Sequence, residues 1–354
     1  MEQPEAGAPR RARLGADLTL LALIGVLLVA ALGAGGLTLY KQFYGPSAFV
    51  ERYLELLASG RAADALQVPG VAVDSAALKA AGLEPTASEA LLRHDAMAPL
   101  TDVEVRSETV ENGVAHVTVD YVAGRHAGSS TFEVVQDGWA GVTPNWRFAT
   151  SPLAEVALVV RGSDQFAVNG FALDRRQVSK DGADAKPLDP LHMLVFTPGI
   201  YSVTVDTAIA QSSGVGVLAD SPLANTPVDV QAQPTDKFRS VVQKRVEEFL
   251  ASCATQQVLQ PTACPFGLEV RNRIVNLPKW SITTQPKVSV QPDGAHWQIP
   301  PTDAVAHIEV DIQSLFDGSI EHVNEDVPFQ VDGTITILPN GSASIRVGSP
   351  GDTD

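Results

Sequence analysis

The sequence predicts an α+β protein displayed on one side of a membrane by a single N-terminal transmembrane helix. Three observations carry that prediction. Leu18 to Tyr40 is an apolar run of 23 residues without a charge. Beyond it, helix-period segments give way to period-two alternation, and this happens twice along the chain. Between the two lies a stretch that alternates almost throughout. The chain has 354 residues, 41 acidic against 25 basic, for a formal net charge of −16. At roughly 150 residues per domain, that length suggests two or three domains. The charge argues against nucleic acid as a partner, because phosphate binding needs clustered Lys and Arg. Two cysteines cannot form a disulfide scaffold or a four-cysteine zinc site. A hydrophobic content of 45% excludes general disorder.

The apolar run comes first. As a helix it is about 34 Å long, enough to cross a hydrocarbon core of about 30 Å. Arg10, Arg11 and Arg13 precede it, while Lys41 and Arg52 are the first bases after it. The positive-inside rule therefore puts residues 1–17 in the cytoplasm and everything after Tyr40 outside, with Tyr40, Phe43 and Tyr44 at the outer interface. The competing reading is a cleaved signal peptide with its small residues around Ala31 to Gly36, but the run exceeds the roughly 7–15 apolar residues of a signal core. A buried soluble helix would carry some polar face, and this run has none.

The first module, residues 46–150, opens with Phe49, Tyr53, Leu56 and Leu57 at helical spacing, and Gly60 stands where a helix stops. Further helices are expected from Ala62 to Val68, Asp74 to Ala81 and Ser88 to Met97. The period then becomes two. Val103 and Val105 are followed by Ala115, Val117, Val119 and Tyr121, with Glu111-Asn112-Gly113 as the hairpin turn between them. Phe132 and Val134, then Trp146 and Phe148, supply two more strands. Helices before an antiparallel meander make an α+β unit with one face of the sheet covered.

Residues 151–233 read as a small all-β module of hairpins or a sandwich. Asn169-Gly170 joins Phe166-Ala167-Val168 to Phe171-Ala172-Leu173, Leu194-Val195-Phe196 leads into Thr197-Pro198-Gly199, and Tyr201, Val203 and Val205 alternate. Ser179 to Asp189 is polar and reads as an exposed loop. Residues 234–348 open with the strongest helix, striped by Phe238, Val241, Val242, Val246, Phe249, Leu250 and Cys253 and capped by Thr235 or Asp236. Strands follow at Trp280 and Ile282, at Val288 and Val290, at Ala306 to Ile312 and at Phe329 and Val331. A last hairpin places Ile335 and Ile337 opposite Ile345 across Pro339-Asn340-Gly341. Residues 349–354 should be a frayed tail.

Phe49-Val50-Glu51-Arg52-Tyr53-Leu54, the Ser59-Gly60-Arg61 break and the closing Asn145-Trp146-Arg147-Phe148 give the first module its resemblance to the nuclear-transport-factor-like fold. That fold packs N-terminal helices in the concavity of a curved antiparallel sheet. The middle module looks like small β domains built around a Pro-Gly-x-Tyr hairpin, here Pro198-Gly199-Ile200-Tyr201, and the helix-plus-meander module looks cystatin-like. Such modules outside one N-terminal helix are similar to the TcaA-like envelope proteins of Gram-positive bacteria. No cysteine precedes Leu18, so the cytoplasmic zinc ribbon common in that family is not expected here.

Cys253 and Cys264 are the only cysteines, and outside the membrane a structural disulfide between them is expected. A redox couple usually has the tighter CxxC spacing. His307, Glu309 and Asp311 share one strand face, as do His116 and Asp120. Both sets read as solvated faces, since neighbours on one face start about 7 Å apart, too far to chelate without a second element. Inside the concavity of the first module Tyr121 is the only polar tip, with His94 and Asp95 at its rim. These three are the candidates for any pocket chemistry there. No SxxK, KTG, GxSxG or HExxH occurs, nor a Walker A or EF-hand motif.

The expected function is therefore a non-catalytic, membrane-anchored extracytoplasmic scaffold or binding protein of the bacterial cell envelope, with no metal or cofactor. The alternatives are a small-molecule or enzymatic pocket in residues 46–150, or an envelope sensor acting through a membrane partner. Glu2, Glu5 and Asp17 cancel Arg10, Arg11 and Arg13, so the residues beyond the membrane carry the whole −16. Anionic lipids and wall polymers repel such a surface. Besides the bilayer contacted through residues 18–40, an envelope protein, a neutral glycan or a second copy of the chain is the expected partner.

Overall fold

Gly45 and Pro46 begin the continuous fold. Proline at the first helical position pre-sets φ and wastes no hydrogen bond. The computed structural model describes residues 20–26, 40, 42–338 and 340–348, and it is mixed α+β, mostly sheet with few helices. The expected cytoplasmic tail, the 349–354 tail and most of the 18–40 span lie outside the described residues. Leu20 to Val26 is helical and exposed. Among the described residues no helix is long and apolar enough to cross a membrane.

Helix α1 (Pro46–Ala58) buries Phe49, Val50, Tyr53, Leu54 and Leu57. It ends at Gly60, whose φ of 72° lets Gly60 N–H reach Leu57 O and Arg61 N–H reach Leu56 O. Two short helices follow, α2 (Ala62–Leu66) and α3 (Ser75–Ala80), the latter capped by Asp74, which accepts from Ala77 N–H at 2.8 Å. The helix expected over Ser88 to Met97 does not form, apart from one 3₁₀ turn at His94–Ala96. Ser88 instead pairs as a strand would, its N–H donating to His192 O and its carbonyl accepting from Leu194 N–H. Leu91 and Leu92 are buried in two different cores, which holds this segment between them.

The first sheet is a meander of β1 (Leu100–Glu111), β2 (Val114–Ala123), β3 (His126–Ala140) and β4 (Thr143–Phe148), antiparallel throughout. Asn112 and Gly113, both at positive φ, make the β1–β2 turn. Strand β2 alternates buried and half-buried residues along its whole length. Its inner face meets α1 around an aromatic group in which the Tyr53 ring lies 5.1 Å from Phe148 and 6.2 Å from Phe132, with Phe49 5.0 Å from Phe148.

In the middle of the chain β5 (Leu153–Arg161) lies between β8 (Leu191–Phe196), antiparallel, and β12 (Asn225–Gln231), parallel. A second sheet has the order β11 (Val215–Ala219), β9 (Gly199–Thr204), β6 (Gln165–Val168), β7 (Phe171–Asp174). Asn169 and Gly170 make the β6–β7 turn at positive φ. A ribbon of β10 (Ala210–Gln211) and β13 (Gln233–Pro234) completes the strands. The region is not wholly β, because α4 (Arg175–Val178) starts the polar loop and Gly182–Asp184 forms a 3₁₀ turn within it. Strand β8 is buried on both faces. Leu191, Met193 and Val195 belong to one core, while Leu194 and Phe196 belong to the core of α1 and the first sheet. Tyr53 reinforces the second contact by donating to Thr197 O at 3.0 Å.

Helix α5 (Asp236–Ala254) is capped by Thr235 and buries Phe238, Val242, Val246, Leu250 and Cys253. Val241, expected in that stripe, is exposed, and Phe249 is half-buried. The helix lies on a sheet in which β14 (Arg273–Ile274), β15 (Lys279–Thr284) and β16 (Gln291–Asp293) all pair with β17 (His296–Gln313). That strand pairs with β18 (Ile320–Ile337), and β18 with β19 (Ala343–Gly348). Ile335 pairs with Ile345 and Ile337 with Ala343. The strand expected at Val288 and Val290 is absent. The Gln243 side chain takes the backbone there, accepting from Val288 N–H and donating to Pro286 O, so no ladder is needed.

The α5 unit and the two middle sheets share one continuous core. Trp297, fully buried, packs on Phe238 at 5.4 Å and against Gly162 at the end of β5. A Cβ on Gly162 would lie 2.4 Å from Trp297 Nε1, whereas one on Gly170 would meet nothing within 4 Å. Both glycines have positive φ. Gly170→Ala should therefore cost only the backbone term, about 1–2 kcal/mol, and Gly162→Ala clearly more, read as urea midpoints. Equal losses would show that the Trp297 contact does not constrain the junction.

Candidate functional site

Strand β5 reads Leu-Ala-Glu-Val-Ala-Leu-Val-Val, an acid inside an apolar run, and Glu155 is 0% exposed. Side chains alternate across a strand, so Leu153 and Glu155 share the face turned toward the first module. The register of β8 adds His192, Leu194 and Phe196 to that face, and β12 adds Asn225 directly beside Glu155. One half of the face is apolar and joins the first core. The other half is a polar knot. Glu155 Oε1 accepts from Asn225 Nδ2 at 2.8 Å and pairs with His192 Nδ1 at 2.6 Å, and its Oε2 accepts from Glu84 N–H at 2.7 Å. A buried carboxyl group is tolerable only when its oxygens are satisfied in this way.

His192 stands between this knot and a cleft of about 160 Å³, also lined by Glu84, Thr86, Lys180, Asp181 and Asp189. Glu84 is held below the ordinary carboxylate range, chiefly by the Thr86 hydroxyl, which donates to it at 2.7 Å, with Lys180 and His192 adding to the effect. Lys180 Nζ lies 3.7 Å from Glu84. The cleft wall depends on Arg175, 1% exposed. Its guanidinium donates to Lys186 O at 3.1 Å, Asp189 O at 3.0 Å and Val160 O at 2.8 Å, fastening the 179–189 loop to the end of β5. Its Nε lies 3.3 Å from Asp164 but out of hydrogen-bond alignment. Burial lowers the Arg175 pKa from its usual value, with Asp164 opposing. Chemically, the cleft offers one imidazole edge, one ammonium, hydroxyls and three carboxylates. Its volume falls below the roughly 300–1,000 Å³ of ordinary ligand pockets. It suits a small polar group, not an extended substrate.

The residues singled out from sequence lie elsewhere. Tyr121 is buried with its ring against Gly128. Its hydroxyl accepts from Ser130 Oγ at 3.3 Å, and burial raises its pKa. His94 Nδ1 pairs with Gly60 O at 3.1 Å, where a Cβ on Gly60 would collide with the ring. Asp95 is exposed. These bonds go to different elements. The interior of the first module is occupied by Phe49, Tyr53, Phe132 and Phe148. An open groove of about 550 Å³ between α1 and the β3–β4 hairpin reaches Phe49 and Tyr53 at its floor. On β17, His307 bonds Asp326 at 2.8 Å and Asp311 bonds His322 at 2.7 Å across the strands. His116 lies 3.9 Å from Glu133 and Asp120 3.7 Å from Arg106. Among the described residues no three His, Cys, Asp or Glu side chains are grouped to hold a metal ion. Cys253 and Cys264 are bonded, with Cα atoms 5.8 Å apart. A bridge over so short a loop contributes about 3 kcal/mol on the chain-entropy model.

Sequence reading passed over Glu155, His192 and Arg175. The available signal was a lone polar residue interrupting each of two apolar runs, Leu153 to Val160 and Leu191 to Phe196.

Removing the carboxyl group strands three donors, so Glu155→Ala should cost about 3–5 kcal/mol in urea unfolding. Glu155→Gln, which keeps an acceptor, should cost about 1–3 kcal/mol. An alanine variant as stable as the glutamine variant would refute the knot. Asp174 caps α4 and binds Arg176 at 2.7 and 2.8 Å, which holds its pKa below 3.8. Its contribution is complete above that ordinary value and is lost as pH falls through the lowered one. The melting-temperature gap between wild type and Asp174→Asn should therefore be open at neutral pH and close under acid. A gap independent of pH would contradict this.

The chain matches no family model, no curated protein and no solved structure.

Proposed function

We propose that this chain is a single-pass, membrane-anchored extracytoplasmic scaffold or binding protein of the bacterial cell envelope, without catalytic activity and with its N-terminus in the cytoplasm. On this reading residues 18–40 are the anchor. Residues 46–150 are the nuclear-transport-factor-like unit, 151–233 the small β unit and 234–348 the cystatin-like unit of a TcaA-like ectodomain. The apolar, charge-free run after Arg10, Arg11 and Arg13 supports the topology.

The observation that carries the binding role is an apolar group on the β17–β18 hairpin. Phe316 is 98% exposed and Leu315 73%, with Ile320 beside them. Ile274 of β14, which pairs with Ile312, and Val275 just after it lie alongside the base of the same hairpin, where Val275 N–H donates to Asp311 O. Exposed apolar clusters of this kind mark interaction sites. The overall negative charge makes a protein a better partner than an anionic polymer. The packed aromatic interior of residues 46–150 weighs for the same reading over an enzymatic one.

A second reading has one specific support, the buried Glu155 that orients His192 at the edge of the polar cleft. A small polar ligand bound there would make the protein a sensor or a carrier.

The test is affinity purification of the full-length chain from detergent-extracted envelopes, run against a Leu315→Asp/Phe316→Asp double variant. A partner that is retained by the wild type and lost from the variant is the expected result. Identical recoveries would remove the hairpin from the proposal, and a partner lost only on mutating Lys180 and His192 would favour the cleft.

A further inference from the structure

Strand β3 outruns its neighbours. The β1–β2 turn is level with Val135, since Val114 pairs with that residue, while β3 continues to Ala140. At about 3.3 Å per residue, the β3–β4 hairpin projects roughly 15 Å beyond the rest of the sheet. Gly138 to Trp146 forms this arm and contains no charged residue, in a chain that is 19% charged. Its tip exposes two large apolar side chains, Trp139 at 62% and Val142 at 81%.

The arm lies beside the point where the long apolar run ends. Tyr40, the last residue of that run, donates from its hydroxyl to Val142 O at 2.5 Å. Trp146 Nε1 donates to Tyr44 O at 2.8 Å, and the Tyr40 and Tyr44 rings lie 5.3 Å apart. Phe43 and Tyr44 are themselves exposed. Aromatic rings with polar handles, joined to a segment long enough to span a bilayer, suit the headgroup layer. In water the same uncharged arm would be an association hazard.

We propose that the β3–β4 arm is a membrane seat: Trp139 and Val142 rest in the outer headgroup layer together with Phe43 and Tyr44, so that the ectodomain is held to the bilayer by two connections. The proposal rests on reading residues 18–40 as the anchor. A single helix leaves the ectodomain free to swivel. A second contact fixes which face it turns outward, and Asp137 at the base of the arm limits the depth.

The full-length chain, reconstituted in phosphatidylcholine vesicles, tests this. Both native cysteines are bonded, so an introduced cysteine is the only free thiol. An environment-sensitive fluorophore on Val142→Cys should shift to the blue and lose emission to lipids brominated near the headgroup. The same label on Asp184→Cys, exposed on the middle module, should do neither. A Val142 label that behaves like the Asp184 label, in protein that resists alkaline extraction, overturns the seat and leaves the anchor intact. Protein released from the vesicles by alkali overturns the anchor reading, and the seat with it.

Discussion

One three-stranded sheet has to satisfy two cores at once, and the rest of the molecule is arranged around that demand. Strand β8 places Leu191, Met193 and Val195 in the core shared by the two middle sheets and the α5 unit, and Leu194 and Phe196 in the core built on α1. A strand buried on both faces cannot slip by one residue without exchanging the two sets. The register of β5, β8 and β12 therefore decides how the first unit sits on the second. Tyr53 adds a directional bond to the same contact by donating to Thr197 O.

The face that β5 and β8 turn toward the first unit changes character along its length. Where Leu153, Leu194 and Phe196 lie, burial alone suffices. Where Glu155 lies, it does not, and the face holds only because Glu84, His192 and Asn225 arrive with donors. Glu84 belongs to the same stretch that runs on through Ser88 into pairing with β8. The chain from Glu84 to Ser88 is thus bonded to β5 and β8 at two points, which explains why the helix expected over Ser88 to Met97 gives way. A similar division of labour occurs at the other end of β5, where the Gly162 turn leaves room for Trp297 and Arg175 gathers loop carbonyls.

Two hairpins each carry a group of exposed apolar side chains, the β3–β4 arm beside Tyr40 and the β17–β18 tip around Phe316. The two differ in what surrounds them. The arm carries no charge over Gly138 to Trp146 and touches the chain emerging from the apolar run. The tip carries Asp317, bonded to Ser319, and the pairing of β14 with β17 brings Arg273 opposite Gln313 at its base. Those differences are why a lipid surface is proposed for one and a protein for the other.

Much of this architecture was legible without coordinates. The α1 and α5 stripes, the Gly60 stop, the Asn112-Gly113 and Asn169-Gly170 turns, the β1–β4 meander and the Cys253–Cys264 bridge follow from short-range rules of periodicity, caps and positive φ and from a single pair of cysteines. Four features were not legible: the strand pairing of Ser88, the loss of the Val288 strand to Gln243, the exposure of Val241, and the knot at Glu155. Each depends on which residues far apart in the chain come to share a face. The sequence by itself determined the local conformations and the chain's division into an apolar run and an acidic remainder. Tertiary structure alone decided that β8 would serve two cores and that Glu155 would be buried. Whether a buried acid is stable depends on donors from Glu84, His192 and Asn225, and no local pattern specifies their meeting.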